Sequence, residues 1–333
     1  MNKDQPTPTT KEEEVLFQSL RAHDWDEFIG QNTIRQALQL SIKAAKQRKE
    51  ALDHTLLFGP PGLGKTTLAH LIAQGMKANI VVTSGTALNK AGDLAAILTN
   101  LKDGDILFID EIHRLPKIVE ETLYPAMEDF ALDIIIGKGP SARTVRLDLP
   151  KFTIVGATTR FGLLTGPFRD RFGLIHRLTH YKPDALAEII IRAAKKIDIK
   201  IDSESASEIG HRSRGTPRIA LKLLKRVRDY AQVNGSDQIS SDQVHKSLEM
   251  FAIDKRGLDH IDRRLMKKLI KHHQGGPVGL NTIAASLNED SGTIEEVIEP
   301  YLLQIGFLKR TPKGRVVTAA AYKHLGEKYP EEK

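Results

Sequence analysis

The apolar positions of this chain follow two alternating patterns. Short runs rich in Leu, Ile, Val and Phe, at residues 55–58, 80–83, 105–109 and 152–155, have the length and continuity of strands buried on both faces. Between them the apolar period lengthens. Ile34, Leu38 and Ile42 recur every four residues, and helices are predicted after Thr66 and over 93–101 and 120–130. Strands alternating with helices predict an α/β domain, a parallel sheet with helices on both faces. Residues 132–136 and 143–149 flank a Gly137-Lys138-Gly139-Pro140 turn, and Val145, Leu147 and Leu149 alternate in the second arm. A β-hairpin is therefore expected at 132–149, beyond what the sheet needs. It either folds back on its own domain or projects an apolar face toward a partner protein, and both fit the pattern.

The Tyr181-Lys182-Pro183-Asp184 segment marks a boundary, after which the pattern is helical to about residue 254. From Lys255 it changes again. A helix is predicted over His260–His273, with Ile261, Leu265 and Leu269 apolar and Arg264, Lys267, Lys268 and Lys271 basic. Two more helical stretches follow, at 280–287 and 291–303, and then a strand, a tight turn and a strand between 306 and 317. That order is the order of a winged helix, a module that commonly binds DNA. The expected organisation is thus a polar, disordered tail at 1–20, an α/β domain at 21–180, a small helical domain at 181–254 and a winged helix at 255–330.

Chemistry enters at one loop. Gly59-Pro60-Pro61-Gly62-Leu63-Gly64-Lys65-Thr66 satisfies the phosphate-loop pattern at every fixed position, between a predicted strand and a predicted helix. The glycines let backbone N–H groups face one anion, Lys65 reaches the outer phosphates, and the Thr66 hydroxyl suits Mg²⁺. The strand at 105–109 runs into Asp110 and Glu111. These suit a metal-holding carboxylate and a group that orients the attacking water. The strand at 152–155 continues to polar residues at its end, where a side chain can meet the γ-phosphate or that water. Arg169 and Arg171 lie in a short turn. They are either an arginine finger offered to a neighbouring subunit or members of a surface ion pair. Arg218 follows Pro217 at a helix start, a second place for a phosphate.

Charge modifies the picture at the C-terminus. Residues 255–333 carry 14 Lys+Arg against 10 Asp+Glu, the largest excess of any segment. The presumed recognition helix holds Glu295, Glu296 and Glu299, which oppose entry into a phosphate-lined groove, whereas the wing holds Lys309, Arg310, Lys313 and Arg315. DNA is therefore expected on the wing, through its backbone and without sequence preference. A winged helix used for protein contacts is the other reading. The chain has no cysteine, which excludes disulfides and thiolate metal sites. Nothing in it resembles a membrane span or a signal peptide, so a cytoplasmic location is the expectation.

Taken together, these motifs resemble the RuvB family, AAA+ motors that drive branch migration of Holliday junctions. The likeness covers about residues 21–320. It rests on the phosphate loop, Ala91-Gly92-Asp93-Leu94, Asp110-Glu111-Ile112-His113-Arg114 and Leu123-Tyr124-Pro125-Ala126-Met127-Glu128-Asp129. It continues through Gly156-Ala157-Thr158-Thr159-Arg160, Arg169-Asp170-Arg171-Phe172-Gly173, Arg214-Gly215-Thr216-Pro217-Arg218, Gly275-Gly276-Pro277-Val278-Gly279-Leu280 and Glu299-Pro300-Tyr301-Leu302. The resemblance implies an AAA+ domain, a lid and a winged helix, with ATP and Mg²⁺ as ligands. It implies nucleotide contacts from Arg21, Phe28, Ile29, Gly62, Gly64, Lys65, Thr66, Thr67, Tyr181 and Arg218, and metal contacts from Thr66 and Asp110. Glu111 and Lys65 would be catalytic, Thr158 the sensor at the strand end, Arg171 the finger, and Arg315 a DNA contact. Ile134, Ile136, Val145 and Leu147 would dock a RuvA-like junction-binding protein. A homo-hexameric ring on double-stranded DNA at four-way junctions and a RuvC-like resolvase complete the implied assembly. The family usually has Arg-Pro where this chain has Arg21-Ala22. A clamp-loader or replication-initiator type of assembly switch is the alternative function.

Overall fold

In a computed structural model, residues 20–136 and 143–330 are described. The expected tail lies outside them except for Leu20, as do the hairpin turn at 137–140 and the side chains of Ile134 and Ile136. The chain divides into two compact units. The first runs to Ile189 and takes in Thr216–Leu221; the second is Ile190–Gly215 with everything from Lys222 onward.

The first unit begins with α1 (Asn32–Arg48), β1 (Thr55–Phe58) and α2 (Lys65–Met76), then β2 (Ile80–Ser84), α3 (Ala91–Leu98) and β3 (Ile106–Asp110). It continues through α4 (Lys117–Glu128), the antiparallel hairpin β4 (Ala131–Ile136) and β5 (Arg143–Asp148), β6 (Thr153–Thr158), α5 (Gly166–Asp170) and β7 (Leu174–Arg177). Five strands form a parallel sheet in the order β2-β3-β6-β1-β7. The burial of each strand follows its place in that order. The inner strands β3, β6 and β1 are almost wholly buried, while β2 and β7 at the edges are partly exposed. Strand β7 has no apolar run because an edge strand with alternating burial does not need one, and Leu174-Ile175-His176-Arg177 carries no strong strand signal.

Leu56, Leu107, Ile109, Phe152, Ile154 and Phe168 join one apolar core with residues of α3 and α4. The hairpin leaves it. Leu132 and Leu149 are buried at its base, but β5 is exposed along its whole length, with Val145 at 44% and Leu147 at 38%. The β5 arm is thus exposed on both faces and does not fold back onto its domain. Arg146 ties its lower part to Asp129 at 2.7 Å.

In the second unit lie the second half of α6 (Pro183–Lys196), α7 (Ser203–His211), most of α8 (Pro217–Val233) and α9 (Ser241–Met250). A two-residue parallel ladder joins β8 (Lys200–Ile201) to β9 (Gln238–Ile239), an addition to the helical segment that so short a pairing does not announce in sequence. The winged helix comprises α10 (His260–His273), α11 (Leu280–Leu287), a helical turn α12 (Ser291–Thr293), a π-helical turn Ile294–Ile298, α13 (Glu299–Gln304), the wing β10 (Leu308–Thr311) and β11 (Gly314–Val317), and α14 (Ala319–Leu325). Leu265, Leu269, Ile283, Leu302, Phe307 and Tyr322 are among its core residues. The π-helical turn has a local cause: Pro300 has no N–H to donate and its ring crowds the carbonyl four residues back. Among the described residues no helix is long and apolar enough to cross a membrane.

Phe152 is fully buried beneath the sheet. Phe152→Ala should destabilise the first unit by about 3–5 kcal/mol, visible as a lower urea midpoint in denaturation followed by circular dichroism.

Candidate active site and nucleic-acid interface

Parallel register brings the candidate catalytic groups to one rim. Phe58 pairs with Thr158 and Ile109 with Gly156, so the loop after β1, the carboxylates after β3 and the polar end of β6 share one edge of the sheet. The loop itself has left-handed backbone at Gly62 and Gly64. A Cβ at Gly62 would lie 2.9 Å from Cβ of Arg218, and one at Gly64 would meet Phe28 at 3.4 Å. Both glycines thus serve close approach as well as the turn.

Positive charge converges there. Lys65 is buried in the first turn of α2 and donates to the carbonyls of Gly59 at 2.8 Å and Pro60 at 3.0 Å. Burial pushes its ammonium below the ordinary lysine value, opposed by Glu111 and Asp110 and reinforced by Arg218. The Arg21 guanidinium is also pushed down, by burial and then by Arg218, with Asp110 opposing. Arg218 donates its backbone N–H toward Gly62 O at 3.4 Å. Three cations gathered about a loop of backbone N–H groups form a receptor for a polyanion. Thr66 and Thr67 are half-buried in the first turn of the same helix.

A more apolar corner adjoins this rim. Phe28 and Tyr181 are buried, and both approach Gly64; the Tyr181 hydroxyl donates to Leu63 O at 3.2 Å. Burial pushes that phenol far above its ordinary value. Ile29 is half-buried beside Phe28. Gln31 clips the segment to the chain just past β7, donating to Thr179 O at 2.6 Å.

The two carboxylates have different partners. Asp110 accepts from the backbone N–H of Glu111 at 2.9 Å, and burial pushes its carboxyl above the ordinary value. Glu111 has a left-handed backbone, φ 47°, an uncommon conformation for a glutamate. Its Oε2 accepts from Thr159 Oγ1 at 3.0 Å and lies 3.2 Å from Nδ1 of His113. Here the expectation for Thr158 needs correction. Thr158 is fully buried, with its hydroxyl 2.9 Å from His113 Nδ1 and accepting from Arg160 N–H at 3.0 Å. Side chains alternate along a strand, so only the next residue turns toward the carboxylate. Thr159 and His113 are the site residues that the sequence reading did not single out. Period-two alternation past the end of β6 is the signal that points to Thr159.

Arg171 touches none of these groups. It follows α5, with its guanidinium 4.2 Å from the centre of the Tyr124 ring, 3.2 Å from Glu128 Oε1 and donating to Pro167 O at 2.6 Å. Its Nε is buried and has no hydrogen-bond partner among the described residues.

The wing differs from its expected form. Glu299 is completely buried, not displayed on a recognition helix. Arg310 Nε and Nη2 reach its two oxygens at 2.8 and 2.9 Å, and Arg315 does the same at 3.0 and 3.1 Å. The π-helical turn adds a residue before Glu299 and rotates it onto the face of Ile298 and Leu302. Arg310 and Arg315 are therefore wing residues with an internal role, and Arg315 is mostly buried. Lys309 and Lys313 are exposed.

A parallel five-stranded sheet with a phosphate loop after its first strand, an acidic pair after its third and a converging arginine at a helix start defines an ATPase of the AAA+ class. Family models divide the chain between them. The Holliday junction DNA helicase RuvB P-loop domain matches residues 20–178, the RuvB AAA lid domain 181–254 and the RuvB C-terminal winged helix domain 255–326. Thermotoga maritima RuvB, described as a Holliday junction branch migration motor, is 54% identical over 94% of this chain and 100% of its own, with a TM-score of 0.85. A mutant of the same protein is 55% identical over 93% of this chain and 99% of its own, with a TM-score of 0.86. This chain belongs to the RuvB family. It is a Holliday junction branch-migration ATPase, and the clamp-loader or initiator alternative is not favoured.

Burial alone would push the Glu299 carboxyl up, but the hydrogen bonds and charges of Arg310 and Arg315 outweigh it and hold it below the ordinary glutamate range. Glu299→Ala leaves two wing arginines facing each other. It should destabilise the second unit by about 3–5 kcal/mol, measured by urea denaturation. The depressed carboxyl adds a pH signature. Its stabilisation is complete above about pH 4.3, the ordinary glutamate value, and is lost as pH falls through the lower folded-state value. The variant should lack that acid limb.

Proposed function

We propose that the rim of the sheet hydrolyses Mg·ATP at a site completed by a second subunit, and that the energy moves duplex DNA through a homo-hexameric ring. The convergence of Arg21, Lys65 and Arg218 on the glycine loop carries this reading, because three cations beside two carboxylates suit a metal-bound triphosphate. Asp110 and Thr66 would hold Mg²⁺. The raised carboxyl of Asp110 fits this, since a bound cation favours its ionised form. One carboxylate and one hydroxyl are enough for a metal that shares its shell with phosphate and water, and the metal would neutralise charge developing between the β- and γ-phosphates. Phe28, Ile29 and Tyr181 provide the apolar corner for the base, with Thr67 near the inner phosphates. Glu111 orients and polarises the attacking water, held in place by Thr159 and beside His113.

Arg171 serves the neighbouring subunit in trans. Its anchorage on Tyr124 and Glu128, away from its own loop, supports that reading. The exposed Val145 and Leu147 of the hairpin, with Ile134 and Ile136 on the paired arm, form the docking face for a RuvA-like protein. A RuvC-like resolvase then acts on the moved junction, in the cytoplasm. DNA lies against the wing, with Lys309 and Lys313 on its backbone and Arg310 and Arg315 shaping the surface around them.

Mixing tests the trans site. Arg171→Ala should be nearly inactive alone, as should Glu111→Gln. Their mixture should recover turnover, because the first keeps an intact rim and the second keeps the finger. Normal hydrolysis by Arg171→Ala alone would place the site within one chain. In a branch-migration assay on a synthetic four-way junction, ATPase activity without junction movement would reject the motor function.

A further inference from the structure

The outward face of α10 carries a charge pattern that neither the ATPase site nor the wing uses. Leu265, Met266 and Leu269 turn one side of this helix into the core. Arg264, Lys267 and Lys271, spaced three and four residues apart, fall on the opposite side and are exposed. Among the described residues none of the three makes an ion pair. The helix contains one acidic residue, Asp262, and that is buried against Arg214. The helix therefore adds no acid to its outward face; the neighbouring Asp254 is engaged by Arg263 and His324. With His260, Arg263, Lys268 and His272 this face lines a shallow groove of about 420 Å³.

Its position adds to the argument. The chain leaving α10 crosses directly to the wing. Val317 N–H donates to Gly275 O at 2.8 Å, while Val278 and Arg315 exchange backbone bonds at 3.0 and 2.8 Å. The Lys271 end of the stripe thus adjoins β11, one side of the ribbon whose tip carries Lys313. The wing's own arginines are matched by Glu299 and Glu295, so most unmatched positive charge of the module lies on α10 and on the two wing lysines.

We propose that the outward face of α10 is a second contact for the sugar-phosphate backbone of duplex DNA, continuous with the wing. The helix rises about 10 Å from Arg264 to Lys271, the span of about three phosphates of one strand along the duplex axis. The contact is assigned to phosphate because three cations three and four residues apart on an exposed helix face match a row of anions. This inference rests on the C-terminal module being the DNA-binding element.

The test is a salt series of duplex binding by the full chain. The triple variant Arg264→Gln, Lys267→Gln, Lys271→Gln should bind more weakly. The slope of log K against log salt should fall by about 2–3, close to 0.9 for each phosphate that is no longer neutralised. Its unfolding midpoint should match the parent, since the three side chains are exposed. A control with Lys49→Gln, Lys77→Gln and Lys102→Gln removes the same net charge from the ATPase unit and should keep the parent slope. An equal fall in the control, or an unchanged slope in the triple variant, would overturn the proposal. A wing variant, Lys309→Gln with Lys313→Gln, separates the two readings. If it loses slope while the triple variant does not, the stripe fails and the module still binds DNA. If neither loses slope while binding persists, both fail.

Discussion

Parallel pairing of β1 with β6, and of β6 with β3, is the constraint on which the ATPase unit depends. Parallel strands end on the same side of their sheet. Gly59, Glu111 and Thr159 are far apart in sequence, yet they emerge along one rim because Phe58 pairs with Thr158 and Ile109 with Gly156. The pairing is maintained by apolar continuity, with Leu56, Leu57, Phe108, Ile109, Ile154 and Val155 all wholly buried. The rim also accounts for the backbone of Glu111. A regular extension of β3 would send successive side chains to opposite faces, whereas the left-handed turn brings this carboxylate toward Thr159.

Two arrangements of charge in the molecule have opposite meanings. Around the phosphate loop, Arg21, Lys65 and Arg218 gather near Asp110 and Glu111, and burial weakens the charged state of Lys65 and Arg21. Such a cluster suits an anion from outside. At the wing, two arginines meet one buried carboxylate through both of its oxygens. That cluster is largely satisfied internally and serves shape. Counting basic residues does not distinguish the two, and the partner of each cation does.

Legibility in the sequence tracked how local the determining physics is. The phosphate loop, the inner strands and α10 were readable because a fixed spacing or an uninterrupted apolar run specifies each by itself. Edge strand β7 was not, since its place comes from hydrogen bonds to β1 rather than from its own composition. The resemblance points to Thr158, because a motif does not state which way a side chain turns at the end of a strand. The exposed placing of Glu299 failed for a related reason. An unbroken helix puts Glu295 and Glu299 on one face, and the π-helical turn ahead of Pro300 shifts that phase by a residue. The sequence contains Pro300, but its effect on the burial of a neighbour depends on the wing folding over it. The exposure of the hairpin likewise required coordinates, because alternation in β5 fits either disposition.

Arg171 holds one last consequence. Glu128, the carboxylate beside its guanidinium, is the final residue of α4, and β4 of the hairpin begins at Ala131. Arg146 on the other arm is tied to Asp129, the next residue after Glu128. Mechanically these pieces form a short lever, with the ribbon as its long arm and the guanidinium at its fulcrum. A displacement of the exposed β5 arm is therefore passed, through Arg146 and Asp129, to the residue next to the carboxylate that holds Arg171, so the two sites share one joint.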